Sequence, residues 1–294
     1  MAQYSIKDLE NLSGIKAHTI RIWEKRYGII DPGRTDTNIR SYSDDDLRHI
    51  LNIAILNNKG MKISYLASLA QEDIEKKVLE VTSRASGISD KIEALILAML
   101  TLNEDKFHEL FNQAVEQFSF EETYIQLILP SLEKIGLLWL SGSITPAQEH
   151  FISNLIRQKL IFTIESIPNE KNDTDRKFIL FLPEKDLHEM GLLYAYYLLK
   201  KRGFTVLYIG SGTPVHSVAE VEKFWKAKHM IISVIMPMNE SQWETFIADL
   251  HASFPKHQIV LTGSASSKHP LPEKSPIRII DRLDELEKYI QSLN

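Results

Sequence analysis

The spacing of apolar residues changes period twice along the chain, and each change marks a different architecture. Through residues 1–72 the apolar positions come in short helical bursts. Ser5-Ile6-Lys7-Asp8 is a capping-box pattern that opens a helix carrying Ile6, Leu9 and Leu12. Ser13-Gly14 makes a turn, and a second helix over 17–25 puts Ile20 and Trp23 inward. Gly28, Pro32 and Gly33 then break the pattern and predict an exposed loop. Ser43-Asp44-Asp45-Asp46 caps a third helix with Leu47, Ile50, Leu51 and Ala54 or Ile55, and a fourth begins near Ile63.

Over 73–168 the three-and-four spacing becomes continuous, with runs at 74–81, 91–102, 105–118, 121–138 and 146–167. The breaks are short (Ala85-Ser86-Gly87, Asn103-Glu104, Ser119, Ser141-Gly142-Ser143), and together they predict a helical bundle. A polar linker follows over 168–175. From 176 to 294 strands alternate with helices. The strands are expected at 178–182, 205–209, 230–235, 259–262 and 277–280, the helices at 188–202, 215–226, 240–254 and 282–292. That rhythm predicts a doubly wound, flavodoxin-like α/β domain with a parallel sheet. In such sheets ligands sit beyond the carboxyl ends of the strands, which is where His188, Gly210-Ser211-Gly212, Ser233 and Gly263 fall.

Composition narrows the chemistry. The 294 residues contain no cysteine, which excludes disulfides, thiolate zinc sites and thiol nucleophiles. The first residues carry no apolar signal region, and no apolar run approaches the ~18 residues of a membrane span, so a cytosolic location is expected. A net charge of −5 argues against nucleic-acid binding over the whole surface. Between Gly14 and Tyr42, however, Lys16, Arg21, Lys25, Arg26, Arg34 and Arg40 face only Glu24, Asp31 and Asp36, so any nucleic-acid contact should concentrate there.

One constellation carries specific chemistry. Asp186-Leu187-His188-Glu189-Met190-Gly191 follows an apolar strand; after 41 intervening residues comes Ser233-Val234-Ile235, and after a further 27 comes Gly263-Ser264. A neutral imidazole ligates a transition metal through one ring nitrogen while a partner holds the other. Asp186, two residues earlier on a segment expected to be extended, would be that partner. Alone, His188 reads equally as a helix cap at a strand end, and Ser233 as an ordinary buried hydroxyl. The three stations at these intervals resemble the cobalamin-binding module, with its Asp-x-His-x-x-Gly, Ser-x-Leu and Gly-Gly. Ile235 replaces Leu, and Ser264 replaces the second Gly. The resemblance implies that His188 ligates cobalt after displacing the cofactor's own base. It also implies that Asp186 and Gly191 complete the first station, that Ser233 lines the slot for the displaced nucleotide tail, and that Gly263 with Ser264 lets the tail lie against bare backbone.

The first 70 or so residues resemble a MerR-type winged helix-turn-helix: Tyr4-Ser5-Ile6, then Ile20-Arg21-Ile22-Trp23-Glu24-Lys25-Arg26-Tyr27-Gly28, Arg34, and Arg40-Ser41-Tyr42-Ser43. A helix-turn-helix places its second helix in the major groove. His18, Thr19 and Arg21 are then expected at base edges, with Arg21 suited to a guanine, while Arg26, Tyr27, Arg34 and Arg40 grip phosphates. Tyr42 is expected to pack the wing onto the domain, and Asp44, Asp45 and Asp46 to face away from DNA.

In the bundle, Trp139 is followed after nine residues by Glu149-His150. Singly these read as a core tryptophan and a solvated helical turn. Their spacing resembles the light-responsive, adenosylcobalamin-dependent repressors of carotenoid genes, which implies that Trp139, Glu149 and His150 recognise the adenosyl ligand. Those repressors can carry a histidine directly after the tryptophan; here Leu140 stands there and cannot ligate cobalt. The combined expectation is a non-enzymatic transcription regulator with three domains (1–72, 73–168 and 176–294). It binds operator DNA, homo-oligomerises as a dimer or tetramer, and is controlled by adenosylcobalamin and by light. Two alternatives stay open: a regulator that has lost the cofactor and senses another ligand or a protein, and a cobalamin-dependent enzyme component.

Overall fold

The computed structural model describes residues 4–34, 39–83, 88–140, 144–168, 176–272 and 275–293. The expected breaks at 85–87 and 141–143, most of the linker over 168–175, and Asp36 lie outside them. The chain divides into two compact units, Met1–Ile156 and Arg157–Asn294.

The first unit opens with α1 (Ile6–Ser13), whose Ser5 and Asp8 form the expected capping box and which ends on left-handed Gly14. Helix α2 (Ala17–Tyr27) follows, then the short antiparallel wing β1 (Gly33–Arg34) and β2 (Arg40–Ser41). Helix α3 (Asp44–Asn58) has a second reciprocal box from Ser43 and Asp46. Leu9, Ile20, Leu47 and Ile50 are fully buried together with Tyr4 and Tyr42, which bridge each other antiparallel through their backbones. Tyr42 thus ties the wing to the domain. Burial foremost, with Glu24 nearby, pushes its phenol up to about 12.

The helical run continues with α4 (Ile63–Leu66), α5 (Gln71–Ser83), α6 (Ile88–Leu100), α7 (Glu104–Gln117), α8 (Phe120–Thr123), α9 (Leu129–Leu140) and α10 (Pro146–Glu165). One helix expected over 121–138 is not uniform: Tyr124–Ile128 is a π-helical turn, with the Leu129 amide donating to the Tyr124 carbonyl. Pro130 explains it. Proline has no N–H to give the carbonyl four residues back, and its ring crowds that carbonyl, so the chain widens just before it.

The second unit is a parallel five-stranded sheet: β3 (Lys177–Phe181), β4 (Thr205–Gly210), β5 (His229–Ser233), β6 (Gln258–Thr262) and β7 (Ile277–Ile279), in the order β4-β3-β5-β6-β7. It alternates with α11 (Met190–Lys201), α12 (Val215–Trp225), α13 (Glu240–Ser253) and α14 (Leu283–Gln291). Ile179 and Phe181 of β3 join one core with Val218, Trp243 and Ile247, while Phe178 and Leu180 are equally buried on the opposite face. Burial on both faces is why these strands read as unbroken apolar runs rather than alternating ones. Two expected boundaries in this unit move by two residues, the others by one at most. Helix α11 starts at Met190, not 188, and β5 ends at Ser233, not 235. Both displaced ends lie at the carboxyl edge of the sheet, where side chains engage the backbone.

Candidate functional site

The crevice of the α/β unit lies where the connections diverge, between the carboxyl ends of β3 and β5. A turn at Glu184–Lys185 separates β3 from the Asp186–His188 segment. The Asp186 amide donates to the Pro183 carbonyl, which folds the chain back and buries the carboxylate to 2% exposure. Both carboxylate oxygens are used. Oδ1 accepts from His188 Nδ1 at 3.0 Å and from the His188 amide at 3.1 Å. Oδ2 accepts from the amides of Ile235 and Met236, just past β5, at 2.6 and 2.9 Å. Burial on its own would raise this carboxyl, but the hydrogen bonds from the His188 ring, Met236, Ile235 and the His188 amide hold it below the ordinary carboxylate range. Asp186 therefore stays anionic, fixes the ring of His188, and pins the β5 loop to the β3 loop. His188 itself is 59% exposed, so its ring projects from a buried anchor.

Ser233 ends β5 and pairs in register with Thr262, which ends β6. Both hydroxyls are buried, and neither finds a hydrogen-bond partner among the described residues. An unpartnered buried hydroxyl costs about 1–3 kcal/mol, so two side by side at a crevice mark a place that a polar group would complete. Thr262 went unremarked in the sequence because an alternating threonine is ordinary in a strand; only its register beside Ser233 reveals it. Gly263 follows with φ +97°, and an added Cβ would lie 2.6 Å from the Val234 carbonyl oxygen. No other residue fits without moving backbone. Gly191 sits in the first turn of α11, where a Cβ would meet only Leu283 at an ordinary 3.9 Å. Ser264 is exposed beside Gly263. His188, Asp186, Ser233 and Gly263 gather at one edge of the sheet, and this donor set (one anchored imidazole, paired hydroxyls, a bare-backbone turn) suits a cobalamin.

In the helical unit, Trp139 is 47% exposed near the end of α9, whose Leu140 side chain lies outside the described set. On α10, Glu149 accepts from Ser153 Oγ at 2.5 Å and pairs with His150 Nδ1 at 2.6 Å. Trp139 is thus not the core residue that helical spacing alone would make it.

The helix-turn-helix is built by a long reach. Lys16 at the N-cap of α2 makes no side-chain cap; instead Glu10 of α1 accepts from the Ala17 amide at 3.1 Å and from Lys16 Nζ at 3.1 Å. The Ala17 amide first, then Lys16, lowers the Glu10 carboxyl from its ordinary value. With α2 fixed, His18, Arg21 and Arg26 are exposed, and Thr19 and Tyr27 half-buried. The Arg26 guanidinium stands 5.3 Å from the Tyr27 ring centroid. Arg34 is exposed on β1. Arg40 differs from the rest: its Nε donates to both Glu24 oxygens at 3.1 and 3.2 Å, which clamps the wing to α2. Periodicity passed over Ile22, which lies off the Ile20–Trp23 stripe and is 53% exposed beside Arg21.

Comparison with known proteins matches residues 4–73 to the MerR HTH family regulatory proteins and residues 91–162 to the B12 binding domain. The chain is 24% identical to the HTH-type transcriptional repressor CarH of Myxococcus xanthus over 271 residues, 90% of each chain. It is 22% identical to the repressor CarA of the same organism over 266 residues, covering 90% of this chain and 88% of CarA. The monomethylamine corrinoid protein of Methanosarcina barkeri shares its fold, with a TM-score of 0.56 at 13% identity over 71% of this chain and all of that one. No helix of the described residues is long and apolar enough to cross a membrane.

Proposed function

We propose that this chain, a MerR-type DNA-binding regulator of transcription and not an enzyme, gates its operator binding by adenosylcobalamin and loses that gating in light. The observation that carries the reading is the Asp186–His188 pair beside two unpartnered hydroxyls and a glycine that admits no side chain. His188 would ligate cobalt through Nε2, because Asp186 engages Nδ1 and fixes the tautomer. Ser233 and Thr262 would hydrogen-bond the nucleotide tail, and Gly263 would let it approach the backbone. Trp139 would offer apolar area to the adenosyl group, with Glu149 and His150 meeting its ribose hydroxyls. When bound, adenosylcobalamin would supply a cobalt–carbon bond that light breaks. Without an adenosyl group Glu149 would keep only Ser153 and His150 as partners among the described residues, and the helical unit would lose the ribose contacts that favour its closed form. Leu140 offers no second imidazole, so hydroxocobalamin should leave more readily than adenosylcobalamin.

On DNA, Arg21 and His18 would read base edges while Arg26, Tyr27 and Arg34 hold phosphates, in a cytosolic homodimer or tetramer. The test is direct. Protein mixed with adenosylcobalamin and desalted in the dark should stay coloured, shift its own promoter fragment, and release both the fragment and its oligomeric partners after illumination. Colourless protein after desalting would favour a regulator that has lost the cofactor. Retained colour with unchanged DNA affinity and sedimentation after complete photolysis would leave a cobalamin sensor without light control.

A further inference from the structure

Glu189 follows His188 and occupies the N-cap position of α11, yet its carboxylate makes no cap bond. Both oxygens go elsewhere. Oε1 accepts from Arg157 Nε at 2.6 Å, and Oε2 accepts from the Tyr208 hydroxyl at 2.9 Å. The side chain is only 17% exposed, so this carboxylate is largely withdrawn from water and depends on those two donors. Its backbone is equally committed: the Glu189 amide donates to the Leu187 carbonyl, and its own carbonyl accepts from the Leu193 amide. Tyr208 is braced by stacking on Tyr196, ring centroids 5.3 Å apart. Room for the pair comes from Gly210, at φ +88°, where a Cβ would lie 3.3 Å from the Tyr208 ring and 3.9 Å from Glu189 Oε2.

We infer that Glu189, held by Arg157 and Tyr208, is a positioning residue that sets the backbone of His188 for cobalt ligation, opposite in the turn to the anchor supplied by Asp186. The inference rests on the cobalamin reading. Asp186 holds the ring from the N-terminal side and Glu189 holds the next residue from the C-terminal side, so the backbone that carries the imidazole is fixed at both ends. The second anchor is supplied from α10, the helix that also carries Glu149 and His150. Arg157 is half-exposed, so its removal should leave the fold in place while freeing the loop.

The experiment loads the full chain with hydroxocobalamin and compares wild type, His188→Ala, Arg157→Ala, Arg157→Lys, Glu189→Gln and Tyr208→Phe, with melting curves alongside. Two readouts are taken, the absorption signature of imidazole-ligated cobalt and the affinity by equilibrium dialysis. Direct hydrogen-bond partners of metal-bound histidines are worth about 10–100-fold in affinity, and Glu189, which acts one peptide away, should fall at the low end. Arg157→Ala and Glu189→Gln should lose about tenfold and move their spectra toward that of His188→Ala, while Arg157→Lys recovers part of the loss. Tyr208→Phe removes one hydrogen bond and little volume, so it should shift the same way by less and reports even where Glu189→Gln folds poorly. If His188→Ala loses the signature but Arg157→Ala, Glu189→Gln and Tyr208→Phe keep wild-type spectra and affinity, the positioning role is overturned and the cobalamin reading stands. If wild type retains neither hydroxocobalamin nor, in the dark, adenosylcobalamin, the cobalamin reading falls and takes this role with it.

Discussion

Helix α2 and the α/β crevice, to which the proposed function assigns DNA and cofactor, are built by opposite physical means. On α2 the working groups are long, exposed cations carried by a rigid scaffold, and the scaffold's own polar needs are met internally by Glu10, Ser5 and Ser43. At the crevice an exposed imidazole stands on a buried carboxylate, beside buried hydroxyls whose polar needs are left unmet, as at Ser233 and Thr262. A surface for a polyanion can tolerate side-chain freedom because charge acts over about a Debye length, roughly 8–10 Å. A slot for one molecule cannot, so it is defined by backbone, by register and by what is missing.

The sharpest way to break this contrast is Gly263→Ala. A methyl group 2.6 Å from a backbone oxygen at φ +97° has no rotamer to escape through. We expect a loss of about 3 kcal/mol or more in urea unfolding of the α/β unit. A wild-type midpoint would show that the turn is plastic and the crevice no better defined than the DNA surface.

Next in size is Arg21→Ala, which should weaken operator binding by about 1–3 kcal/mol and relax preference at one base pair. Arg26→Ala should instead weaken operator and random DNA alike and flatten the salt dependence. Equal loss on both DNAs from Arg21→Ala would erase the distinction between reading and gripping.

Ser233→Ala predicts a change of sign. Without cofactor, deleting an unsatisfied buried hydroxyl should raise stability by up to about 1 kcal/mol; with cobalamin present, the lost hydrogen bond should lower affinity by about tenfold. Thermal melts of apo protein and dialysis of the loaded form check the two halves. Destabilised apo protein would mean the hydroxyl is already satisfied.

The smallest effect concerns Glu10. Its carboxyl is held below 4.5 in the folded state, so its contribution is fully present above 4.5 and lost as the pH falls through the lowered value. Glu10→Gln should therefore be slightly less stable than wild type at neutral pH and converge with it in acid. Parallel stability curves across the acid range would remove Glu10 as the cap of α2.

Legibility followed the same divide. The helices, the positions of the strands and the capping boxes of α1 and α3 were readable because periodicity and cap chemistry are local. The stations around His188 were readable because spacing survives where individual residues drift, as with Ile235 and Ser264. Thr262, Glu189, Tyr208 and Arg157 were not, since each acquires meaning only from a neighbour distant in sequence: Thr262 from its register against Ser233, Glu189 from a tyrosine 19 residues on and an arginine 32 residues back. Arg40 shows the limit from the other side: the resemblance gives it a phosphate, and only the fold shows that its Nε also holds Glu24.

The π-helical turn at Tyr124–Ile128 has a consequence for azimuth. One extra residue in a turn rotates everything downstream by about 100° relative to an uninterrupted α-helix. The face on which Trp139 emerges is thus set by a phase slip some three turns earlier, enforced by Pro130. Removing a single residue from that turn would rewind the phase and swing the indole to a different side of the helix, with no change at Trp139 itself.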